Sequence, residues 1–357
     1  MLIKNLVIPR WLCYVLMIVY SQSTIAQTKN TYAEKLGWPK GTKVVIFHVD
    51  DAGMSYSSNR GAIRSIEEGV ATSVSIMMPC SWAASFGKYV LKNPSVDAGL
   101  HLTLTSEWQD YRWPPLNGIS HSPGLVDNDG CMWHTVEQVV KNANPDMVEQ
   151  EIRAQVERAL KMGLKPTHLD SHMGTLFAHV PFLERYIKIG IEYKIPVMFP
   201  GGNNTLLKDC LQYPMIKKLK AEGKWQEGMK LPDLDLLKQS TSVGEMIWKA
   251  GLPVLDDLHT MSGDWRPEGS NVPAADWGKY KAKKWMEALE KMQPGVAMLI
   301  VHSSDITEEF KYISGSGGSR YADMLSMMDP DLKAYIKSNG IVLTTWKELM
   351  ERRQKIK

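Results

Sequence analysis

The stretch KVVIFHVDDAG at residues 43–53 decides the fold of this chain. Residues 43–49 are mostly β-branched or aromatic, which is typical of a buried strand. The strand is predicted to end at Asp50 and Asp51, and Gly53 follows. A helix is predicted over residues 57–68, with Ser57 or Ser58 available as its N-cap. A buried strand followed by a helix is the first unit of an α/β fold.

The same alternation of strand and helix continues along the chain. The further predicted strands cover residues 70–78, 96–104, 167–171, 196–199, 254–259, 296–301 and 341–344. Strands separated by helices predict a parallel sheet with right-handed crossovers, and seven or eight such units predict a closed or nearly closed (β/α) barrel. We find no linker and no internal repeat, so residues 27–357 are predicted to form a single catalytic domain. Residues 200–275 fit the alternation less well and are predicted to be an insertion-like region.

The N-terminal segment has the features of a secretory signal peptide. Lys4 and Arg10 supply positive charge, and the apolar run at residues 11–20 is too short to span a bilayer. Small residues at positions 24–26 predict cleavage after Ala26, with an uncleaved anchor as the alternative. Residues 1–26 are therefore predicted to be a signal peptide, and the protein to be exported, either periplasmic or secreted. No later run is apolar enough to predict a membrane span after cleavage.

Composition and charge exclude several classes of protein. The chain has 357 residues, of which 44% are hydrophobic and 23% charged, and this is ordinary for a globular protein. Loss of residues 1–26 removes two basic residues and no acidic one, so the net charge falls from +3 to +1. No basic stripe is left to indicate nucleic acid. The remaining Cys80, Cys131 and Cys210 are odd in number and lack CxxC spacing, so neither a disulfide framework nor a Cys-based zinc site is expected.

Four predicted strands end in Asp or His, and in a parallel barrel such ends meet at one rim. Asp50 and Asp51 are adjacent carboxylates, which repel each other unless a cation or a proton lies between them. A helix-capping acidic turn is the alternative. His101 lies at the end of the third strand, and His302 follows the apolar strand at residues 296–301, where it is well placed to act as a general acid. Each is alternatively a hydrogen-bonded core histidine.

The sequence PTHLDSH at residues 166–172 is the most specific local signal. Residues i, i+2 and i+4 of an extended strand share a face, so His168, Asp170 and His172 are expected to converge on one point. Two imidazoles and a carboxylate suit zinc or a similar divalent cation. Alternatively, one of the three orients a ligand histidine instead of binding the ion.

These motifs resemble those of the YdjC/ChbG-like carbohydrate deacetylases. Residues 50–55 are similar to that family's Asp-Asp-Phe-Gly-Leu-Ser, and residues 69–73 to its Gly-Ile-x-Thr-Ser. Residues 99–104 resemble its His-bearing strand, and residues 166–172 its Pro-Thr-His-Leu-Asp-Ser-His. Ala52 stands where Phe is common in the family, and residues 200–275 have no clear counterpart.

The resemblance implies an α/β fold of the NodB/YdjC-like type, a distorted (β/α) barrel of seven or eight mostly parallel strands. It also implies one divalent metal ion, Zn or Mg, bound by Asp51, His101 and His172. His168 and Asp170 match the family motif and are either alternative ligands or residues that orient a ligand.

The resemblance further implies a reaction, the removal of N- or O-linked acetyl groups from an acetylated oligo- or polysaccharide. In this reaction Asp50 is the base and His302 the acid. The loop at residues 106–134 is expected to contribute aromatic side chains that stack on sugar rings, with simple loop packing as the alternative. The candidates for stacking are Trp108, Tyr111, Trp113 and Trp133. A homo-oligomer is compatible with the family, although no interface can be predicted from the sequence.

Three other functions are compatible with the same residues. A glycoside hydrolase would pair Asp50 with a second carboxylate, such as Asp170 or Asp305. A metal-dependent phosphoesterase would use the same cluster on another substrate. A non-catalytic glycan-binding protein would keep the barrel without the reaction, but the complete Asp/His set favours an enzyme.

Overall fold

The computed structural model describes residues 30–232, 235–269 and 272–356. The described residues from Thr31 onward belong to one compact unit. The predicted signal peptide at residues 1–26 lies outside the described residues. No helix in the described ranges is long and apolar enough to cross a membrane.

The described ranges contain seven strands and twelve α-helices. The strands are β1 Lys43–Ala52, β2 Ser73–Ile76, β3 Ala98–Leu102, β4 Leu169–Ser171, β5 Asp257–His259, β6 Gly295–Val301 and β7 Val342–Leu343. The helices are α1 Tyr32–Lys35, α2 Tyr56–Glu67, α3 Ala83–Lys92, α4 Val136–Asn142, α5 Pro145–Lys161, α6 Val180–Tyr193, α7 Thr205–Ala221, α8 Asp235–Lys249, α9 Ala274–Lys291, α10 Gly317–Met327, α11 Pro330–Ser338 and α12 Trp346–Gln354. α10 and α11 are separate helices, because Asp329 lies between them and its carboxylate caps α11 at the backbone N–H groups of Asp331 and Leu332.

The strands form one parallel sheet in the order β4-β3-β2-β1-β6-β5, and β7 pairs with the start of β1. Residues 196–201 join the two ends of this sheet. On one side, the Leu169 N–H donates to the Pro196 carbonyl at 2.8 Å, and on the other the Leu255 N–H donates to the Phe199 carbonyl at 3.1 Å. The sheet therefore curls into a distorted barrel, which confirms the predicted fold class.

Alternate residues of the strands lie in two separate apolar clusters. In β1, Val45 and Phe47 belong to the larger cluster, which includes Trp285 of the outer helix α9. Val44 and Ile46 belong to the smaller cluster inside the barrel. Because side chains alternate along a strand, His48 and Asp50 continue the inner row toward the mouth of the barrel.

β1 extends beyond its predicted end and contains an irregularity at Asp51. The register with β2 shifts between Val49 and Ala52, and Asp51 has a φ of 66°. In a regular strand, Asp50 and Asp51 would point to opposite faces. With the irregularity, a carboxylate oxygen of each lies within 4 Å of the His101 ring, at 3.8 Å for Asp50 and 3.3 Å for Asp51. A left-handed conformation of a residue other than glycine is uncommon and clusters at functional sites.

α2 begins one residue earlier than predicted, and its N-cap is Ser55, whose Oγ accepts the Ser58 N–H at 3.0 Å. The predicted caps have other partners, since the Ser58 hydroxyl accepts from the Ser55 hydroxyl at 3.0 Å and the Ser57 hydroxyl donates to Glu309 at 2.9 Å. Neither acidic residue caps this helix, so the capping alternative for Asp50 and Asp51 is wrong. A Cβ at Gly61 would lie 2.5 Å from the Cα of Ser304, so glycine lets α2 pack directly on the segment that follows β6.

Residues 200–275, which were predicted to be insertion-like, contribute one strand to the barrel. They contain α7, α8 and β5, and β5 pairs with β6. The carboxylate of Asp257 accepts the backbone N–H groups of Leu206 and Leu207 at 2.8 and 3.1 Å, which ties the start of α7 to β5. The sequence pattern was weak here because β5 has only three residues. Elsewhere, Cys80, Cys131 and Cys210 are free thiols.

A buried ion pair fixes the segment that carries His302. Lys281 Nζ donates to Asp323 Oδ1 at 2.8 Å, and both side chains are almost fully buried. The other oxygen of Asp323 accepts the backbone N–H of His302 at 3.2 Å. Helix α9 therefore holds the end of β6 in place through one carboxylate.

Replacement of Lys281 with Ala is expected to lower the free energy of unfolding by about 3–5 kcal/mol, because it leaves a buried carboxylate without its cation. Lys283→Ala, on the same helix but exposed, is the matched control and should change the free energy by less than about 0.5 kcal/mol. Urea unfolding of both variants measures the difference. Equal midpoints would contradict a structural role for the pair.

Candidate active site

The predicted polar residues gather at the carboxyl ends of the strands. Asp50 and Asp51 come from β1, His101 from β3, His172 follows β4, and His302 follows β6. The first four are buried, whereas 30% of the His302 side chain is exposed. Their side chains form two neighbouring groups, Asp51 with His101 and His172, and Asp50 with His302.

Asp51, His101 and His172 form the tightest group. Asp51 Oδ1 lies 3.3 Å from His101 Nε2 and 3.3 Å from His172 Nδ1. This buried oxygen nevertheless has no hydrogen-bond partner among the described residues. An unpaired buried acceptor costs about 1–3 kcal/mol. One carboxylate oxygen and two imidazole nitrogens facing each other are the donors that a divalent cation binds, so the residues fit the predicted metal site.

Each imidazole is held from behind by a second carboxylate. His101 Nδ1 lies 2.6 Å from Asp170 Oδ1, and His172 Nε2 lies 3.0 Å from Glu107 Oε2. Histidines that bind metals are commonly oriented in this way through the ring nitrogen that does not bind. The two contacts therefore direct His101 Nε2 and His172 Nδ1 toward Asp51.

The electrostatics of the group favour a cation. Burial would lower the pKa of His172, but Glu107 and Asp51 raise it to about 9. Burial would likewise lower the pKa of His101, but Asp50 and Asp170 raise it well above its usual range. Positive charge is thus stabilised between the carboxylates, and metal binding would displace these protons.

Arg320 contacts the other oxygen of Asp51, with Nη1 2.5 Å from Oδ2. Burial would raise the pKa of the Asp51 carboxyl, but the charge of Arg320 and the two imidazoles hold it well below its usual range. The guanidinium also lies over the Trp108 ring, 5.8 Å from its centroid. Arg320 therefore keeps Asp51 ionised and leaves Oδ1 free to face the imidazoles.

Asp50 and His302 lie beside this group. Asp50 Oδ2 is 3.8 Å from His302 Nε2, and both residues line the same cavity. The pKa of His302 lies below its usual value because burial and Arg320 disfavour its charged form, although Asp51 and Asp50 act in the opposite direction. Two titratable side chains, the predicted base and the predicted acid, thus share one cavity next to the predicted metal ligands.

His168, Asp170 and His172 share a face as predicted, but they do not converge on one point. They form successive layers along the inside of the barrel. His168 is the deepest and stacks on Trp346, with ring centroids 5.2 Å apart. Asp170 lies next and contacts His101, and His172 reaches Asp51 at the mouth. The prediction that the three side chains converge on one point is therefore wrong. Asp170 orients His101, one of the predicted metal ligands. His168 Nε2 lies 3.6 Å from Asp170 Oδ2.

Three residues of the site were not singled out from the sequence, namely His48, Glu107 and Arg320. His48 Nε2 lies 3.0 Å from both Asp50 Oδ1 and Asp170 Oδ2. Burial would lower its pKa, but these carboxylates raise it to about 9. The alternation of side chains along β1 could have identified His48, because His48 lies on the same face of the strand as Asp50. No local signal marks Glu107 or Arg320.

The four loop aromatics have different environments. Trp113 is buried, and its Nε1 donates to the Thr105 carbonyl at 3.0 Å. Trp133 packs against the main core, and its Nε1 donates to the Gly124 carbonyl at 2.9 Å. For Trp113 and Trp133, the prediction that the rings stack on a sugar is therefore wrong, and the alternative of loop packing holds, because both rings pack inside the protein. Trp108 and Tyr111 are only partly buried.

An open cavity of about 300 Å³ lies at the rim next to Tyr111. Tyr56 and Trp82 line it with 42% and 41% of their surface exposed, and their rings are 5.2 Å apart. Glu309 adds a carboxylate to the wall. Exposed aromatic rings beside a hydrogen-bonding group are suited to the apolar faces and hydroxyls of a sugar.

Replacement of Glu107 with Gln is expected to weaken zinc binding by about 10- to 100-fold, because His172 loses the charge that orients it. Competition with a chromophoric chelator measures this affinity. Glu157→Gln, at an exposed position of α5, is the control and should leave it unchanged. Unaltered affinity in the Glu107 variant would show that the contact has no part in metal binding.

The fold and the site together define a class of protein: a curled parallel α/β barrel with an Asp/His group of metal-ligand type at the carboxyl ends of its strands. The chain belongs to the YdjC-like protein family, whose sequence profile matches residues 44–338.

Several proteins named carbohydrate deacetylase are similar to this chain. It is 33% identical over 167 residues to a carbohydrate deacetylase of Thermus thermophilus, a match that covers 47% of this chain and 57% of that protein. A carbohydrate deacetylase of Thermoanaerobacter pseudethanolicus is 22% identical over 305 residues, covering 85% of this chain and 98% of that protein. The first match thus spans a little over half of its relative's length.

One solved structure has a similar fold. It is an Enterococcus faecalis protein described as a candidate cellobiose-phosphate cleavage protein, with a TM-score of 0.65 and 18% identity. The alignment covers 86% of this chain and 99% of that one. At this identity the likeness concerns the fold.

Proposed function

We propose that this protein is a metal-dependent hydrolase that removes N- or O-linked acetyl groups from an acetylated carbohydrate. The observation that carries the proposal is the unpaired Asp51 oxygen, which faces one nitrogen of His101 and one of His172. Membership of the YdjC-like family and the similarity to proteins named carbohydrate deacetylase support the same reaction.

Asp51, His101 and His172 would hold one divalent ion, Zn or Mg. When bound, the ion supplies a Lewis acid that acidifies a water molecule and polarises the acetyl carbonyl. The nitrogen donors favour zinc over magnesium, which prefers oxygen ligands. Asp170 and Glu107 keep the two imidazoles in position, and Arg320 keeps Asp51 ionised.

Asp50 and His302 each carry out one of the two proton transfers of the proposed reaction. The Asp50 carboxylate takes a proton from the attacking water, as a general base. His302, which lines the same cavity as Asp50, donates a proton to the leaving amine or alkoxide. His48 holds Asp50 through a contact of 3.0 Å, so the carboxylate keeps one orientation.

The rim cavity formed by Tyr56, Trp82, Tyr111 and Glu309 supports a carbohydrate as the rest of the substrate. The glycosidase alternative has less support, since both candidate partner carboxylates are engaged. Asp170 binds His101 at 2.6 Å, and Asp305 lies 2.8 Å from Arg60.

The proposed reaction is tested by measuring acetate released from acetylated chito- and xylo-oligosaccharides, together with metal analysis of the purified protein. We expect about one divalent ion per chain, acetate release, and loss of release after EDTA that the added ion restores. Acetate release that persists in metal-free protein would contradict the proposal. Release of reducing sugar without acetate would favour the glycosidase.

We also propose that the protein is exported, on the basis of residues 1–26. Mass spectrometry of protein expressed with its full N-terminus should give a chain that begins at Gln27. An intact N-terminus on protein that stays in the cytoplasm would contradict export.

A further inference from the structure

A second cavity, of about 460 Å³, extends from Asp50 and His302 into the barrel. Most of its wall is apolar, including Phe177, Met198, Leu207, Leu258 and Ile300. Met198, Leu207, Leu258 and Ile300 belong to the apolar cluster inside the barrel, and Phe177 packs against it. The cavity thus joins the proton-transferring groups directly to the inner core.

The wall of this cavity has few side chains that could form hydrogen bonds with a sugar. Apart from Asp50 and His302, its polar side chains are the hydroxyls of Ser171, Ser240 and Thr260. No lysine, arginine or glutamate lines it in the described ranges. A sugar placed here would bury hydroxyl groups without hydrogen bonds, which is unfavourable.

An acetyl methyl group is far too small for this space. Cavities of about 300–1,000 Å³ ordinarily hold ligands of many heavy atoms. The rim cavity near Tyr56 is built from the segments that follow β1, β2, β3 and β6. The apolar cavity is built mainly from β4 and the segment that follows it, residues 198–200, α7, α8, β5 and β6, together with Asp50 of β1. The two cavities therefore lie on different sides of the barrel mouth. This arrangement suits a substrate in which the sugar lies on one side of the bond that is broken and the acyl chain on the other.

We propose that the same site hydrolyses acyl groups longer than acetyl in preference to acetyl itself, and that their hydrocarbon chain occupies the apolar cavity. The inference rests on the proposed function and specifies its substrate class: a sugar that carries a medium-length acyl chain as an amide or ester. The reaction is hydrolysis, in which water breaks the carbonyl bond to nitrogen or oxygen and a carboxylic acid and an amine or alcohol are released. The sugar occupies the aromatic rim, and the chain extends past Asp50 into the barrel.

α7 provides a matched pair of variants. Leu211 lines the cavity and is 38% exposed, and Met215, one turn further, is 43% exposed and is not part of the wall. Both positions accept a polar side chain without disturbing the buried core. Leu211→Glu places a charge beside the chain, whereas Met215→Glu places the same charge outside the cavity.

The test is a series of N-acylglucosamines with acetyl, butanoyl, hexanoyl and octanoyl groups, assayed by release of the free amine. Each buried methylene is expected to raise kcat/KM by up to about fourfold, so octanoyl should exceed acetyl by about 100-fold or more. Leu211→Glu should lower the ratio of kcat/KM for the octanoyl substrate to that for the acetyl substrate by about 10-fold. Met215→Glu should leave this ratio unchanged.

The outcomes separate this inference from the proposed function. Cleavage of the acetyl substrate with no gain from longer chains overturns the inference and leaves the proposed function intact. A gain that comes only from an octyl glycoside of N-acetylglucosamine also overturns it, because the cavity then holds the aglycone. If no substrate is cleaved, the proposed function fails, and calorimetry decides the inference: octanoyl-glucosamine must bind more tightly than N-acetylglucosamine, and Leu211→Glu must remove the difference.

Discussion

Replacement of Asp51 with Asn is expected to abolish metal binding and to lower kcat/KM by about 10³-fold or more. The carboxylate supplies the one charged ligand of the group, facing His101 Nε2 and His172 Nδ1 at 3.3 Å. An amide has nearly the same shape but no charge, and the loss of a bound Lewis acid removes several kcal/mol of transition-state stabilisation.

The ion content of the purified variant is measured by plasma mass spectrometry, and activity by acetate release. Asp305→Asn is the control, because Asp305 also follows a barrel strand but binds Arg60 at 2.8 Å instead of the histidines. The control should keep its ion and its activity. An Asp51→Asn protein that is folded, retains one ion per chain and is active would eliminate this metal centre.

Replacement of Asp50 with Asn is expected to lower kcat by about 10²- to 10⁴-fold while the protein keeps its metal ion. Asp50 is the general base in the proposed reaction, and an amide cannot accept the proton. Its carboxylate lies 3.8 Å from the far nitrogen of His101, Nδ1, and contacts His48 at 3.0 Å. The Asp50 carboxylate therefore does not belong to the group of atoms that face the unpaired oxygen of Asp51.

The ratio of metal ions to protein distinguishes the two adjacent carboxylates. Full occupancy with a low kcat in the Asp50 variant, and low occupancy in the Asp51 variant, is the expected pattern. If occupancy falls in both variants alike, Asp50 is also a ligand, and the base must be sought elsewhere in the cavity. His302→Gln provides a further comparison, since it should lower kcat without affecting occupancy.

Much of the fold follows from local patterns. β1, β3 and β6 are runs of buried residues that a reader of the sequence places within a few positions, and their polar ends mark the rim. The short strands were harder: β4 and β5 have three residues each, and most of their stability comes from neighbours in the sheet. Residues 200–275 were predicted to be insertion-like for this reason.

The same division applies to the site. The spacing of His168, Asp170 and His172 predicts that they share a face, and they do. Whether these three side chains meet at one ion or lie at successive depths depends on how deep the barrel interior is. The spacing of the residues along the chain does not determine that depth. The same holds for Trp113, whose ring is buried by partners that lie elsewhere in the chain.

By itself, the sequence determined the alternation of strands and helices, the rim at which Asp50, Asp51 and the histidines lie, and the family. These depend on backbone periodicity and on strand ends, which are local properties. Only the tertiary structure decided that Arg320, 269 residues away, holds Asp51, and that Glu107 supports His172. It also decided that an apolar cavity opens beside Asp50, because cavities and long-range charge pairs arise from packing between distant segments.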